Sequence, residues 1–397
     1  LRKRIDQERF TLQGQAQGHL IQTFEGIHDI KLQTGEFNRR EEWDDIQYQL
    51  FGTKIRSIKL DQLQDIGARF INQSKNALIT FVSAKLLMNG DITYGSLLAI
   101  QFINGQLNMP ITDILLLIRG YQDAKLSAER LNDVYNVDSE VRENHNYLKT
   151  IPVDKSITLK DVEFSYHPDD PPVLKGITTS FPHGKITAIV GESGSGKSTL
   201  MKIIMKHYHP TSGEVTVGSS NLTNIDFETW RRACGVVVQG GVLFSTTVAE
   251  NIAMGSLEVD FDRVVVAAKQ ARIHDYIMSL PLQYNTKLGY YNKVSEGQKQ
   301  RILIARALYK DPEYFFMDEA TNSLDANVES DIVNSLKTRF KDKTVILIAH
   351  RLSTVIEADH IIYLKDGLIV EEGTHEELLT KGNHYRKLVF NQVTITA

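Results

Sequence analysis

From Leu1 to about Gln62 the chain is polar, yet Leu20, Ile21, Phe24, Ile27, Ile30 and Leu32 recur at helical spacing and no proline interrupts them. That pattern predicts a long amphipathic helix system. From about Ile66 to Leu131 the apolar content rises: ALITFVSAKLLM, a polar break NGDITYG, then SLLAIQFINGQLNMPITDILLLI, which reads as two helices joined by a short turn. A membrane span needs about 20 mostly apolar residues, and these runs carry Lys85, Asn104, Gln106, Asn108, Pro110 and Asp113. Hydropathy therefore leaves membrane helices and soluble packed helices equally open, because polar groups are tolerated in a span where they face a bundle interior or a water-filled pathway. The polar stretch from Asn136 to Lys155 reads as a linker. Beyond it, ITLKDVEFSY, KITAIV, CGVVVQ, EYFFMDE, TVILIAH and HIIYLKDG alternate with helical patterns. Buried apolar strands separated by helices predict an α/β domain with a mostly parallel sheet. The expected organisation is thus helical over 1–135, linker over 136–155 and α/β over 156–397.

Composition narrows the function classes. A chain of 397 residues with 42% hydrophobic and 24% charged residues is ordinary globular protein, long enough for two or three domains. A formal net charge of -4 and a sequence pI near 6.3 argue against a general nucleic-acid binder, which needs a basic excess to meet a phosphate backbone. The single cysteine, Cys234, excludes an intramolecular disulfide and a cysteine-rich zinc site, and reads as a small buried hydrophobe beside a strand. The chain starts at Leu1 with no signal-peptide pattern, from which a fragment of something longer is expected.

The chemistry is concentrated in the second half. GESGSGKS, from Gly191 to Ser198, follows the strand pattern ITAIV and precedes the helical run TLMKIIM. It fits G-x-x-x-x-G-K-[ST] in the strand, loop, helix context that the pattern requires. Glycines let backbone amides wrap phosphates, Lys197 meets the β and γ oxygens, and Ser198 ligates Mg²⁺. The apolar run EYFFMDE ends in Asp318, a carboxylate at the carboxyl edge of the sheet near such a metal, and the next residue, Glu319, is a candidate base for an attacking water. TVILIAHR brings His350 to the same edge, within reach of a γ-phosphate. In VSEGQKQR, Ser295 and Gln298 stand in capping-box register ahead of the apolar run ILIARAL. A helix start of that kind also offers backbone amides and a hydroxyl to an anion.

In this order the motifs resemble the nucleotide-binding domain of ABC transporters: GESGSGKST, VVVQGGVLF with Gln239, VSEGQKQR, FFMDEAT, NSLD with Asp325, and IAHR with His350. The resemblance implies an α/β P-loop NTPase, an ABC-type ATPase domain with a helical signature subdomain, preceded by an all-α partial transmembrane domain. In that family two such domains face each other head to tail, each ATP lying between one phosphate loop and the partner's signature helix. By resemblance, Gly191, Glu192, Ser193, Gly194, Ser195, Gly196, Lys197, Ser198 and Thr199 would cradle the phosphates, and Tyr166 would stack on adenine. Ser198, Gln239 and Asp318 would serve Mg²⁺. Glu319, His350, Lys197 and Gln239 would carry hydrolysis. Ser295, Gly297 and Gln298 would bind the γ-phosphate held by the other subunit, and Asp325 would link the two sites.

Three positions depart from the family pattern. Glu296 stands where glycine is usual, and its carboxylate is compatible with a phosphate only if it points outward. GYYNK lacks the Glu-x-Gly that many exporters carry there, and Gly240 replaces an acid often found after the loop glutamine. The region from Ile66 to Leu131 looks like the last two membrane helices of an exporter, and GIHDIKLQTGEFNRREEW like a cytoplasmic extension with its coupling helix. IQFINGQLNMPI and QDAKLSAERL are most similar to peptidase-containing bacteriocin or peptide exporters. The implied protein is an ATP-hydrolysing exporter subunit in the cell membrane, its nucleotide-binding domain cytoplasmic, working as a homodimer on peptide cargo. A soluble ABC ATPase acting as a mechanical clamp and a drug or lipid exporter remain as alternatives.

Overall fold

The computed structural model describes residues 2–106, 108–136, 139–140, 146–238, 240–289, 294–318, 342–349 and 351–396. The chain divides into two compact units, Leu1–Glu140 and Val141–Ala397.

The first unit is helical: α1 (Arg2–Glu25), α2 (Ile27–Leu32), α3 (Glu36–Met88), α4 (Tyr94–Gln106) and α5 (Asn108–Tyr135). The change of composition near residue 65 does not end a helix. With no proline or capping signal there, α3 runs through both zones for 53 residues, about 80 Å at 1.5 Å per residue. The second expected helix is described as α4 and α5, and residue 107 between them lies outside the described residues. Charged pairs tie α1 to α3, Arg2 to Asp61 at 3.2 Å and Arg56 to Glu8 at 2.6 Å, and His19 Nε2 lies 3.3 Å from Glu42 Oε2. Polar groups inside the apolar runs find one another. Asn104 Nδ2 donates to Asn76 Oδ1 at 2.8 Å and Gln101 Nε2 to Thr80 Oγ1 at 3.1 Å, joining α4 to α3. Among the described residues no helix is long and apolar enough to cross a membrane. Arg69, Lys75 and Lys85 lower the mean hydropathy of the apolar part of α3.

The second unit holds two sheets. A six-stranded sheet runs β10 (Leu368–Gly373), β9 (His360–Lys365), β3 (Ile186–Gly191), β8 (Thr344–Ile348), β7 (Tyr314–Asp318), β6 (Cys234–Val237), with β10 antiparallel and the others parallel. Its central strands are buried on both faces, so alternate residues feed different cores. Phe315, Met317, Val345 and Leu347 join one apolar cluster, while Tyr314, Phe316, Ile346 and Ile348 join the other. The first core is completed by α8 (Val248–Ile252), α9 (Phe261–Gln270), α10 (His274–Ser279) and α11 (Glu296–Tyr309). The second core contains α6 (Lys197–Ile204), α7 (Phe227–Ala233) and a separate antiparallel sheet.

That sheet, ordered β2 (Leu174–Phe181), β1 (Ile157–Phe164), β4 (Ser212–Val217), β5 (Ser220–Asn221), stands beside the mostly parallel sheet expected from the strand runs and takes the run ITLKDVEF out of it. β1 alternates buried and exposed residues, as a strand with one solvated face does, and belongs here. Cys234 opens β6 as a buried residue, and burial pushes its thiol pKa far up, so it packs as a hydrophobe. Residues 146–155 are fastened to this unit. Leu148 bridges Ile225, Tyr314 Oη donates to Lys155 O at 3.0 Å, and Lys155 pairs with Glu313 at 2.8 Å.

Candidate nucleotide site

The site lies at the carboxyl ends of the parallel strands, where an open α/β sheet leaves its crevice. β3 ends at Gly191, the chain turns through GESGSG, and α6 begins at Lys197. The turn depends on its glycines. Gly191 has φ 149, and a Cβ there would lie 2.1 Å from the Leu364 carbonyl oxygen. Gly196 has φ 101, and a Cβ would come within 2.9 Å of the Leu174 side chain. No L side chain is accommodated at either place.

Lys197 is buried, and its Nζ donates to the carbonyl oxygens of Gly191 at 3.0 Å and Glu192 at 2.7 Å. The ammonium is thus held over its own loop, among amides that open toward an anion. Ser195 Oγ is buried with no partner among the described residues, a hydroxyl whose bond the loop itself leaves unmade. Three residues on, Ser198 Oγ donates to Asp318 Oδ1 at 3.1 Å, crossing from α6 to the end of β7. A hydroxyl and a carboxylate at one point are hard oxygen ligands of the kind Mg²⁺ takes. The loop, its cation and this pair fit a metal-bound polyphosphate.

Tyr166 is 43% exposed, so it is not an inward-facing strand aromatic. Its ring is set edge-on to Phe164, with centroids 5.0 Å apart, and to Tyr208 at 5.5 Å. Its hydroxyl lies 2.9 Å from Thr199 Oγ1 on α6. Three contacts fix the ring, and the hydroxyl contact ties it to the helix that follows the phosphate loop, a placement compatible with a stacking role. The Tyr166–Thr199 pairing had no signal in the sequence, since the two stand 33 positions apart.

Ser295 caps α11 as expected from its spacing. Its Oγ accepts from Gln298 N at 3.3 Å, and Gln298 Oε1 accepts from Ser295 N at 2.8 Å. Because Ser295 Oγ acts there as an acceptor, its proton remains to be donated outward. Ser295 is exposed, and Gly297 and Gln298 are half-buried. The Glu296 side chain is 63% exposed and pairs with Lys299 at 3.2 Å, so its carboxylate is directed along the helix surface to a cation. Gly240 has φ 73, a left-handed conformation that glycine adopts without steric cost. Gln239, Glu319, Asp325, His350 and most of GYYNK lie outside the described residues.

The profile of the ABC transporter family matches residues 174–322, and that of the ABC transporter transmembrane region matches residues 1–111. The leukotoxin translocation ATP-binding protein LktB of Mannheimia haemolytica is 36% identical over 384 residues, which are 96% of this chain and 54% of that protein. The chain belongs to the ABC transporter family. Its namesake in Bibersteinia trehalosi is similar to the same extent, 36% over 384 residues. A solved structure described as a bacterial Atm1-family ABC exporter with ATP bound shares 29% identity and superposes with a TM-score of 0.92, covering 98% of this chain and 68% of that one. This ABC chain therefore joins the transmembrane region of an exporter to its ATP-binding domain, and it spans about half the length of the curated relatives it matches.

Proposed function

We propose that this chain binds MgATP and, paired head to tail with a second copy, hydrolyses it to power export of peptide-type cargo across the cell membrane, with Val141–Ala397 on the cytoplasmic side. The observation that carries the reading is the Ser198 to Asp318 bond at 3.1 Å, because it sets a hydroxyl and a carboxylate, oxygens of the kind Mg²⁺ takes, directly beside the phosphate loop. The resemblance to a protein named for leukotoxin translocation supports a peptide-type cargo, and the likeness to an exporter with ATP bound supports the nucleotide.

In this proposal Lys197 lies against the β and γ oxygens, and Tyr166 stacks on the base. Ser198, Gln239 and Asp318 hold Mg²⁺, which when bound neutralises charge on the transferred phosphoryl group. Glu319 takes the proton of the attacking water, and His350 hydrogen-bonds the γ-phosphate. The second copy brings Ser295, Gly297 and Gln298 to that phosphate, its hydroxyl donating and its helix dipole favouring the negative charge. Asp325 links the two sites. Closure on ATP and reopening after hydrolysis are then the motions that drive the helical half.

The mass in solution of the full chain carrying Glu319→Gln, measured by light scattering with and without MgATP, tests this. A shift from monomer to dimer on adding MgATP is expected. A chain that binds ATP and stays monomeric overturns the head-to-tail pair, and one that binds no ATP overturns the whole reading.

A further inference from the structure

In the first unit α1 and α3 form a cleft of about 760 Å³, a volume within the range of ligand sites. Its rim is basic, with Arg4 from α1 and Arg56 and Lys59 from α3. The acids that could neutralise these cations are already engaged. Arg56 pairs with Glu8 at 2.6 Å, and Arg2 holds Asp61 at 3.2 Å. Asp6 is met by Arg9 at 3.2 Å and by Arg2 at 3.9 Å. Among the described residues Arg4 and Lys59 enter no ion pair and no side-chain hydrogen bond, and both are exposed. Two cations therefore remain unneutralised at the mouth of one cleft. Its walls are apolar, with Ile5 buried, Leu60 half-buried and Leu63 at the open end.

The cleft also stands where α3 changes character. Asp65 is the last acid of the helix, which runs on to Met88 without another. Lys59 lies seven residues before Ile66, about 10 Å along the axis. Lys59, Leu63, Ile66 and Phe70 follow one another at i, i+4, i+7 and i+11, one face of a helix. Leu63, Ile66 and Phe70 are 69%, 65% and 73% exposed, so an apolar stripe leaves the cleft from beside its unneutralised cations. An anion carried on a hydrocarbon chain matches both the charge and the shape. We infer that this cleft binds an anionic phospholipid, its phosphate between Arg4 and Lys59 and an acyl chain along Leu63, Ile66 and Phe70. Arg4 offers a planar fork and Lys59 a point charge, both suited to phosphate. The long stems of these side chains lie on apolar surface while their charges meet a headgroup. Binding of this kind needs only the membrane interface and does not depend on α3 crossing a bilayer. It rests on the membrane placement in the proposed function and not on nucleotide chemistry.

The test uses the full chain in detergent, without nucleotide, incubated with equal amounts of phosphatidylglycerol and phosphatidylcholine, and counts the bound lipids by native mass spectrometry. Phosphatidylglycerol is expected to be preferred. Arg4→Gln and Lys59→Gln are each expected to reduce that preference about 5-fold, the scale of one basic residue beside an anionic surface. The charge-keeping variants Arg4→Lys and Lys59→Arg are expected to retain most of it, and an equal loss in them overturns the role of charge. Lys54→Gln removes a charge from the same helix outside the cleft and is expected to change nothing. A loss there as large as for Lys59→Gln would make the preference a general attraction and overturn the site. Glycerol phosphate, which has the anion without the chains, is expected not to displace the lipid; displacement at equal concentration overturns the lipid in favour of a free phosphate ester. Equal uptake of both lipids by the parent chain overturns the inference and leaves the membrane placement standing. Uptake of neither lipid overturns both. Absence of MgATP-dependent dimerisation counts against the proposed function alone, since the lipid preference is read without nucleotide.

Discussion

The Ser198 hydroxyl donates to the Asp318 carboxylate across 3.1 Å, joining two residues 120 positions apart. The bond exists because β3 and β7 flank β8 in one parallel sheet, so that their carboxyl ends open onto the same crevice. If Asp318 orients the ligands of a Mg²⁺, Asp318→Asn keeps the size and the hydrogen bond but removes the charge. The expected outcome is a loss of roughly 10- to 100-fold in Mg²⁺ affinity in the presence of ATP, with little change in metal-free nucleotide binding. Titrating Mg²⁺ against a fluorescent ATP analogue checks it; equal metal affinity in both chains removes Asp318 from that role.

Tyr166 is held by Thr199 as well as by its aromatic neighbours. Tyr166→Phe removes the hydroxyl contact but keeps the ring, and nucleotide affinity is expected to change by less than about 3-fold. Tyr166→Ala removes the stacking face, worth about 0.5–1.5 kcal/mol, and is expected to weaken binding by up to roughly 10-fold. Two variants equal to the wild type in a binding titration would show that the base lies elsewhere.

Ser295 has two duties that substitution can separate. Asn and Asp both cap helices as well as Ser does, whereas Ala costs about 1 kcal/mol. Ser295→Asp is therefore expected to leave the melting temperature nearly unchanged and yet abolish ATP-dependent dimerisation in the Glu319→Gln chain, because a carboxylate would face the γ-phosphate. Retained dimerisation with a carboxylate in place would exclude Ser295 from the phosphate site.

Glu296 points along the helix to Lys299 in an exposed i,i+3 pair. Such pairs are worth about 0.3–0.5 kcal/mol, and Glu296→Gly is expected to leave ATP-dependent dimerisation within about 3-fold of the parent. A large gain on removing the carboxylate, read by light scattering, would mean that the acid does face the phosphate.

Glu371 on β10 accepts backbone N–H bonds from Asn383, His384 and Tyr385 at 2.7, 2.8 and 3.0 Å, fixing the start of the helix His384–Thr396. Burial pushes the carboxyl up, but those three donors outweigh it and hold the pKa below the usual value of 4.5. A depressed carboxylate stabilises above its unfolded pKa, and that contribution fades as pH falls through the lower folded value. Exchange protection in 383–391 is therefore expected to be constant from pH 7 to about 5 and to fall below about 4.5, whereas in Glu371→Gln it should be weaker and flat over the same range.

Much of the site was legible in local pattern. The phosphate loop needs only neighbours in sequence, and its three glycines with positive φ, Gly191, Gly194 and Gly196, stand where the spacing put them. The capping box of Ser295 and Gln298 spans three residues and was likewise readable. The apolar runs YFFM and VILI were readable as strands covered on both faces, and YFFMD and TVILI are buried at every position. What escaped was whatever joins distant segments. Asn251 gives no signal in a sequence, and Arg306 gives only the weak one of a cation in an apolar helix; their pairing exists because α8 and α11 pack side by side. Composition misplaced the helix boundary near residue 65, since a continuing helix carries no mark when its environment changes.

The sequence by itself determined the strand that leads into the loop, the loop's conformation, the helix starts and the residue types that suit a metal-bound polyphosphate, because each rests on contacts within a few positions. Only the tertiary structure decided that β1 leaves the parallel sheet for an antiparallel one, that Ser198 meets Asp318, that Thr199 holds Tyr166 and that Arg306 binds residues 242–251. Those outcomes depend on strand order and on which helix faces share a core, and the physical reason is that burial is satisfied globally while propensity and capping are satisfied locally.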